Sequence, residues 1–288
     1  MRNVSEKTLT EAAVATIGDD TDPRFREIMT ALIRHLHGFA RDVNLTQPEW
    51  LAAIEFLYRT GRKTTKKRNE FILLSDTLGL SSLIDMMGSR ASAGVDATET
   101  SVLGPFYIPG APMLKVGGDL IGGNDGEPGI VHGKVHGPGG AAIEGALIEI
   151  WQNAANGRYS NEDPDQDDNN LRCRMVSGSG GAYSFTTIRP VPYTVPQDGP
   201  AGVMLNAMDR HPWRPAHIHF KISAPGHEDL VTELYPDDDA YIDQDAVFGV
   251  RESLAVSFRR DSSADAAARH GLTAPFFDLH YDFGLRPL

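Results

Sequence analysis

The chain reads as an α+β protein, with a helical N-terminal region over residues 1–95 and a mostly antiparallel β-sandwich over residues 96–288. Three observations predict this. As far as Gly88, apolar residues recur at helical spacing. After Gly94 they collect in short runs separated by glycine and proline turns, the spacing of sandwich strands. With 288 residues, 41% of them hydrophobic, the chain has enough material for one large core and a smaller appendage.

The elements follow in order. In DPRFREIMTALIRHLHGFARDV, Phe25, Ile28, Met29, Leu32, Ile33 and Leu36 line one face of a first helix. Thr46 and Glu49 frame a capping box, with Pro48 in the first turn, ahead of a second helix through WLAAIEFLYRTG. A third helix covers KRNEFILLSDTLGLSSLIDMMG, with Phe71, Leu74, Leu78 and Leu83 as its expected buried stripe. IVHGKVHGPGGAAIEGALIEIWQ then reads as strand, turn, strand. SGSGG before AYSFTTI is a structural turn, because no helix opens after it as a phosphate loop requires. HIHFKI, VTELY, SLAVSF and FFDLHYDF supply the remaining strands.

Bulk properties exclude several function classes. A net charge of −12 opposes an electrostatic grip on nucleic acid or an anionic membrane. No run approaches the roughly 18 apolar residues of a membrane span, and the first residues lack a secretory apolar stretch. A cytoplasmic protein is expected. The single cysteine, Cys173, rules out an internal disulfide and is expected to be a buried, inert thiol. NEDPDQDDNN resembles the opening of a calcium loop, but counting from Asp163 puts Asp168 where glycine is needed and Arg174 where glutamate is needed. It reads as a solvated acidic loop.

The chemistry begins at RPAHIHF. On a strand His217 and His219 point the same way while Ile218 and Phe220 point oppositely. Two imidazoles converging from one face suit zinc, copper, iron or nickel. No HExxH helix or cysteine pair completes such a site, which leaves Tyr159 in GRYSNEDP and Tyr193 in RPVPYTVPQDGP as candidates. A copper or zinc site using His211 or His227 is an alternative, as is a β-sandwich binding module with no chemistry.

The ordered set EFILLSD, LGPFYIPGAP, EIWQNAANGRYSNEDP, PVPYTVPQDGP, RPAHIHFKISAPGH and AVFGVRESL resembles the intradiol ring-cleavage dioxygenases, from the helical part almost to the C-terminus. The resemblance implies one non-haem Fe(III) per subunit, held by Tyr159, Tyr193, His217 and His219. Such a set is chemically sensible: ferric iron is hard and favours anionic oxygen, and a strong cation strips the phenol proton. A two-histidine, one-carboxylate set would instead indicate ferrous chemistry, and no suitable carboxylate motif accompanies the histidine pair. The implied reaction takes a dihydroxyaromatic and O2 to a muconic acid. In it Tyr193 is the ligand that leaves and accepts a proton, and Arg214 stabilises charge on the ring. Glu233 stands where some relatives have glutamine. A homodimer through the helical region, with a phospholipid between the helices, is also implied.

For the substrate pocket the resemblance implies Leu73, Asp76, Val102, Gly104, Pro105, Phe106, Val195, Pro196 and Val247. Asp76 is the informative member, since a carboxylate beside an apolar ring is costly unless something bonds to it. Hydroxyquinol brings a third hydroxyl that would do so, which makes it the expected substrate; catechol or a chlorocatechol is the alternative.

Overall fold

Capping decides where the first helices begin. In the computed structural model, which describes residues 4–90 and 97–288, a short helix α1 (Leu9–Val14) precedes α2 (Pro23–Asp42). The Asp22 side chain accepts the Phe25 N–H at 2.9 Å to start α2. Arg34 on α2 makes a two-pronged ion pair with Glu11, and Thr10 meets His37 at 3.1 Å, which tie α1 to α2. The expected capping box opens α3 (Gln47–Lys63), with the Glu49 carboxylate accepting the Thr46 N–H at 2.8 Å. The chain divides into two compact units, one ending at Tyr58 and one spanning Arg59–Leu288.

Within the second unit the expected third helix is two helices. Gly79, at φ +75°, breaks it into α4 (Glu70–Thr77) and α5 (Leu80–Arg90). The expected stripe is corrected too: Phe71, Leu78 and Leu83 are exposed, while Leu73, Asp76 and Thr77 are buried. Two further helices, α6 (Pro200–Ala207) and α7 (Ala264–Arg269), lay below the pattern recognised in the sequence.

The strands are β1 (Gly118–Asp119), β2 (Pro128–His136), β3 (Leu147–Gln152), β4 (Arg172–Val176), β5 (Ala182–Ile188), β6 (Tyr193–Thr194), β7 (Trp213–Arg214), β8 (Ile218–Ser223), β9 (Leu230–Pro236), β10 (Ala255–Val256), β11 (Arg259–Asp261), β12 (Phe276–His280) and β13 (Phe283–Gly284). One sheet runs β10-β9-β8-β3-β4 and is antiparallel apart from its β10 edge. The other runs β1-β5-β2-β12-β11, with β13 also on β2, and it is mixed: β1, β12 and β13 all pair in parallel. The Pro138–Gly140 turn therefore carries the chain from one sheet to the other.

Between the sheets lies the main core. Ile218, Phe220 and Ile222 of β8 pack with Val131 and Val135 of β2, Phe185 of β5 and Phe283 of β13. The rings of Phe220 and Phe283 sit 4.8 Å apart. Because β8 buries its even-numbered residues in this core, its odd-numbered histidine is presented on the opposite face.

Candidate active site

That opposite face carries Trp151 of β3, His219 of β8 and Glu233 of β9 side by side, since Trp151 and Glu233 are the cross-strand partners of His219. The Trp151 indole stacks on the His219 imidazole at 4.6 Å, nearly parallel at 8°. His217 precedes β8 and donates from Nδ1 to the Pro215 carbonyl at 2.7 Å, which leaves its Nε2 as the lone-pair nitrogen. Tyr159 Oη lies 3.2 Å from Nε2 of His217 and 3.2 Å from Nε2 of His219, and the two nitrogens are 3.2 Å apart. Three donor atoms thus converge on one buried point. Tyr193 closes the group, its ring 5.4 Å from that of Tyr159 and 5.5 Å from that of His217.

Loops bring the tyrosines in. Arg172 on β4 anchors the Tyr159 loop by donating to Ser160 Oγ and Asn161 Oδ1, and the same guanidinium holds the Phe106 carbonyl, each at 2.8 Å. Tyr193 sits on β6, directly paired with Arg214 on β7.

Arg214 is the hub behind the histidines. It grips Glu233 with two N–H groups at 3.0 and 3.1 Å and Asp245 with two more at 3.0 and 3.1 Å. A further N–H reaches His217 Nε2 at 3.2 Å. Glu233 also accepts from Ser101 at 2.7 Å and from the Tyr235 hydroxyl. Its Oε1 lies 3.1 Å from His219 Nδ1, without the alignment of a hydrogen bond.

The reading that no carboxylate accompanies the histidine pair is corrected here. Ligand atoms of His217, His219 and Glu233 all fall within 4.8 Å of one another. Glu233 Oε1 meets His219 at Nδ1, the nitrogen turned away from Tyr159, and stands 3.4 Å from His217 Nε2, while both its oxygens are taken up by Arg214, Ser101 and Tyr235. It therefore braces the imidazole from behind. The exposed loop residue His211 and the half-buried His227 lie outside this group among the described residues.

Burial sets the protonation states. It pushes the Tyr193 phenol up to about 12 and Tyr159 well above its ordinary value. Both imidazoles are neutral: burial, reinforced by Arg214, brings His217 down to about 4, and burial puts His219 well below the usual range. Burial works to raise Glu233, but the charge of Arg214 and its hydrogen bonds outweigh that burial and hold the carboxyl below the usual carboxylate range. Cys173, as expected, is buried, with its thiol pushed up to about 12 by that burial.

Of the expected pocket wall, Leu73, Val102, Val195 and Val247 form one buried cluster, to which α6 adds Ala201 and Leu205. Phe106 tilts against Tyr159 at 4.8 Å. Gly104 has φ +71°, and a Cβ there would stand 3.3 Å from His219 Cε1, so the close approach to the imidazole needs glycine. Pro105 and Pro196 are half-buried. Asp76 is 1% exposed and its Oδ1 has no hydrogen-bond partner. Burial lifts its carboxyl to about 7 against a bond from Ser81, and it feels the charges of Arg214, Glu233 and Asp245. A cleft of about 940 Å³ shares Tyr193, Val195 and Pro196 with this region.

Ser101, Arg172, Tyr235 and Asp245 escaped the sequence reading. Only Glu233 left a local trace, as a carboxylate on the buried strand VTELY. The others take their roles from residues far away in the chain.

Comparison with known proteins places this geometry. The family models described as "Catechol dioxygenase N terminus" and "Dioxygenase" match residues 22–96 and 102–287. The chain is 42% identical to 6-chlorohydroxyquinol 1,2-dioxygenase of Cupriavidus pinatubonensis, over 100% of this chain and 99% of that protein. It is 41% identical to hydroxyquinol 1,2-dioxygenase of Nocardioides simplex, over 98% and 96%. Among solved structures, hydroxyquinol 1,2-dioxygenase from Pseudomonas putida DLL-E4 superposes with a TM-score of 0.86 at 45% identity, covering 98% of this chain and 99% of that one. Catechol 1,2-dioxygenase of Acinetobacter radioresistens superposes with a TM-score of 0.87 at 28% identity, covering 100% and 95%. With family models matching residues 22–96 and 102–287 and relatives above 40% identity over almost the whole length, the chain belongs to the intradiol ring-cleavage dioxygenases.

Proposed function

We propose that the enzyme is a hydroxyquinol 1,2-dioxygenase using one Fe(III) per subunit, held by Tyr159, Tyr193, His217 and His219, with residues 96–288 as the catalytic domain. The donor set fits the ion. Two buried phenols and two neutral imidazoles converge, and the phenols, protonated when alone, are the groups a strong cation would ionise. When bound, the ferric ion would bind both oxygens of the diol and render its ring reactive toward O2.

The chain's own residues do the rest. Tyr193 Oη, a buried phenol beside Tyr159 and His217, would accept a substrate proton. Arg214 keeps one N–H aimed at His217 Nε2 rather than at a carboxylate, so it has a donor for negative charge developing on the ring. The cluster of Leu73, Val102, Val195 and Val247, with Gly104, Pro105, Phe106 and Pro196, seats the flat ring and excludes water.

The observation that carries the substrate is Asp76: a buried carboxyl with an unpartnered oxygen, within electrostatic reach of Arg214, Glu233 and Asp245. The third hydroxyl of hydroxyquinol satisfies it; catechol leaves it bare. The relatives named for hydroxyquinol and chlorohydroxyquinol support this choice. The product is 3-hydroxy-cis,cis-muconate and its keto form, maleylacetate. We further propose a homodimer through the N-terminal helices, with a phospholipid lodged among them.

Oxygen uptake with hydroxyquinol and with catechol under one set of conditions tests the substrate, and a preference for catechol overturns it. Metal analysis with the visible spectrum tests the ion. Stoichiometric iron and a red-brown colour are expected, and a colourless or zinc-loaded protein overturns the assignment.

A further inference from the structure

We infer that Asp245 is a positioning residue for ring cleavage, setting the plane of Arg214 and tying it to the pocket wall. The inference rests on the dioxygenase reading above but concerns a residue outside the expected ligands and wall. Asp245 is 8% exposed, and each of its oxygens accepts twice. Oδ1 takes Arg214 Nε at 3.0 Å and the Val247 N–H at 3.1 Å. Oδ2 takes Arg214 Nη2 at 3.1 Å and the Gly249 N–H at 2.9 Å.

A two-pronged bond of this kind fixes the guanidinium plane, which in turn aims Nη1 at Glu233 and His217. The same carboxylate pins the backbone of Val247, whose side chain is part of the apolar wall with Leu73 and Val102. One side chain therefore holds both the wall and the cation.

The loop around it is built to stay put. Phe248 adopts φ 59°, a left-handed conformation that non-glycine residues rarely hold. It is kept there by Ser82 Oγ and Arg251 Nη1, which donate to its carbonyl at 2.6 and 2.9 Å, and by Arg210 lying 4.9 Å over its ring. Arg210 also reaches the Thr77 carbonyl at 2.6 Å, at the end of the helix that carries Asp76.

Asp245→Asn tests the role with little change of shape. The amide replaces one acceptor oxygen by a donor, which then faces two N–H donors whichever way it turns. The expected result is a kcat about tenfold to a hundredfold lower with KM within a few-fold, and an unchanged visible band because no expected ligand is touched. In an Arg214→Lys background the part of the loss that passes through Arg214 should disappear, so the same change should cost clearly less there than it does alone. A metal-loaded, folded Asp245→Asn enzyme with wild-type kcat overturns the inference, as does a fully multiplicative loss in the double variant. If Asp245→Asn does not fold, Asp245→Glu keeps the charge but not the geometry; it should lose kcat with its band in place, and wild-type kcat there is equally fatal. The wild-type preference between hydroxyquinol and catechol is read in the same assay. An error in the substrate reading thus shows separately, and the Asp245 comparison is made with whichever diol is better.

Discussion

Asp76 is held at about 7 by burial, far above its ordinary value of 3.8, so the folded protein favours its protonated form. Its contribution to stability is then fully present below about 4 and is lost as pH rises through 7. Asp76→Asn, which stays neutral, should melt higher than wild type at pH 8 and lose that advantage at pH 4; parallel melting curves across the range would contradict this. The charge that costs stability also serves recognition, because an ionised carboxylate accepts a stronger hydrogen bond from the substrate's third hydroxyl. The preference for hydroxyquinol over catechol should therefore widen as pH climbs past 7, and Asp76→Ala should narrow it by about tenfold. Steady-state kcat/KM for both substrates checks both statements, and an unchanged ratio in the variant refutes them. At Tyr159, replacement by Phe removes an expected anionic donor. Shifted visible absorption and faster loss of iron to a chelator should follow, and an unaltered spectrum would show that the phenol does not bind the metal.

Strand β8 shows how one element serves two purposes. Its inward residues hold the sandwich together, while the opposite side carries His219. The two roles are separable, which yields a contrast. Phe220→Ala should destabilise the fold by about 3 to 5 kcal/mol while leaving the visible band of the surviving enzyme in place. Gly104→Ala should do the reverse, with a modest loss of stability but weakened iron retention, because its new methyl presses on the His219 ring. Denaturant melts read alongside metal content decide between these patterns. The break at Gly79 matters at the same scale. It ends α4 just after the turn that carries the buried Leu73, Asp76 and Thr77.

For the whole molecule, the N-terminal helices expose a run of large apolar side chains. α2 buries none of its residues and exposes Phe25, Ile28, Leu32, Leu36 and Phe39. A face of that kind on a single copy favours cover by a second copy or an acyl chain. Sedimentation at micromolar concentration should give a dimer, and a monomer would reject it; extraction and mass analysis of lipid tests the other clause. Much of the architecture was legible beforehand. The capping box at Thr46 and Glu49, the strand alternation through HIHFKI and the change from helical to strand grammar are local signals, written in neighbouring residues. The convergence of Tyr159 and Tyr193 on the histidines was legible only through a resemblance, since lone tyrosines carry no periodicity. What the sequence by itself determined was every feature set within a few residues: where helices start, which face of a strand is apolar, and which residue types were available to hold a metal. Only the tertiary structure decided which strands pair in parallel and that Glu233, Tyr235 and Asp245 enclose Arg214. The contacts around Arg214 join residues 19 to 31 positions apart, and burial seals them from water as one charged network.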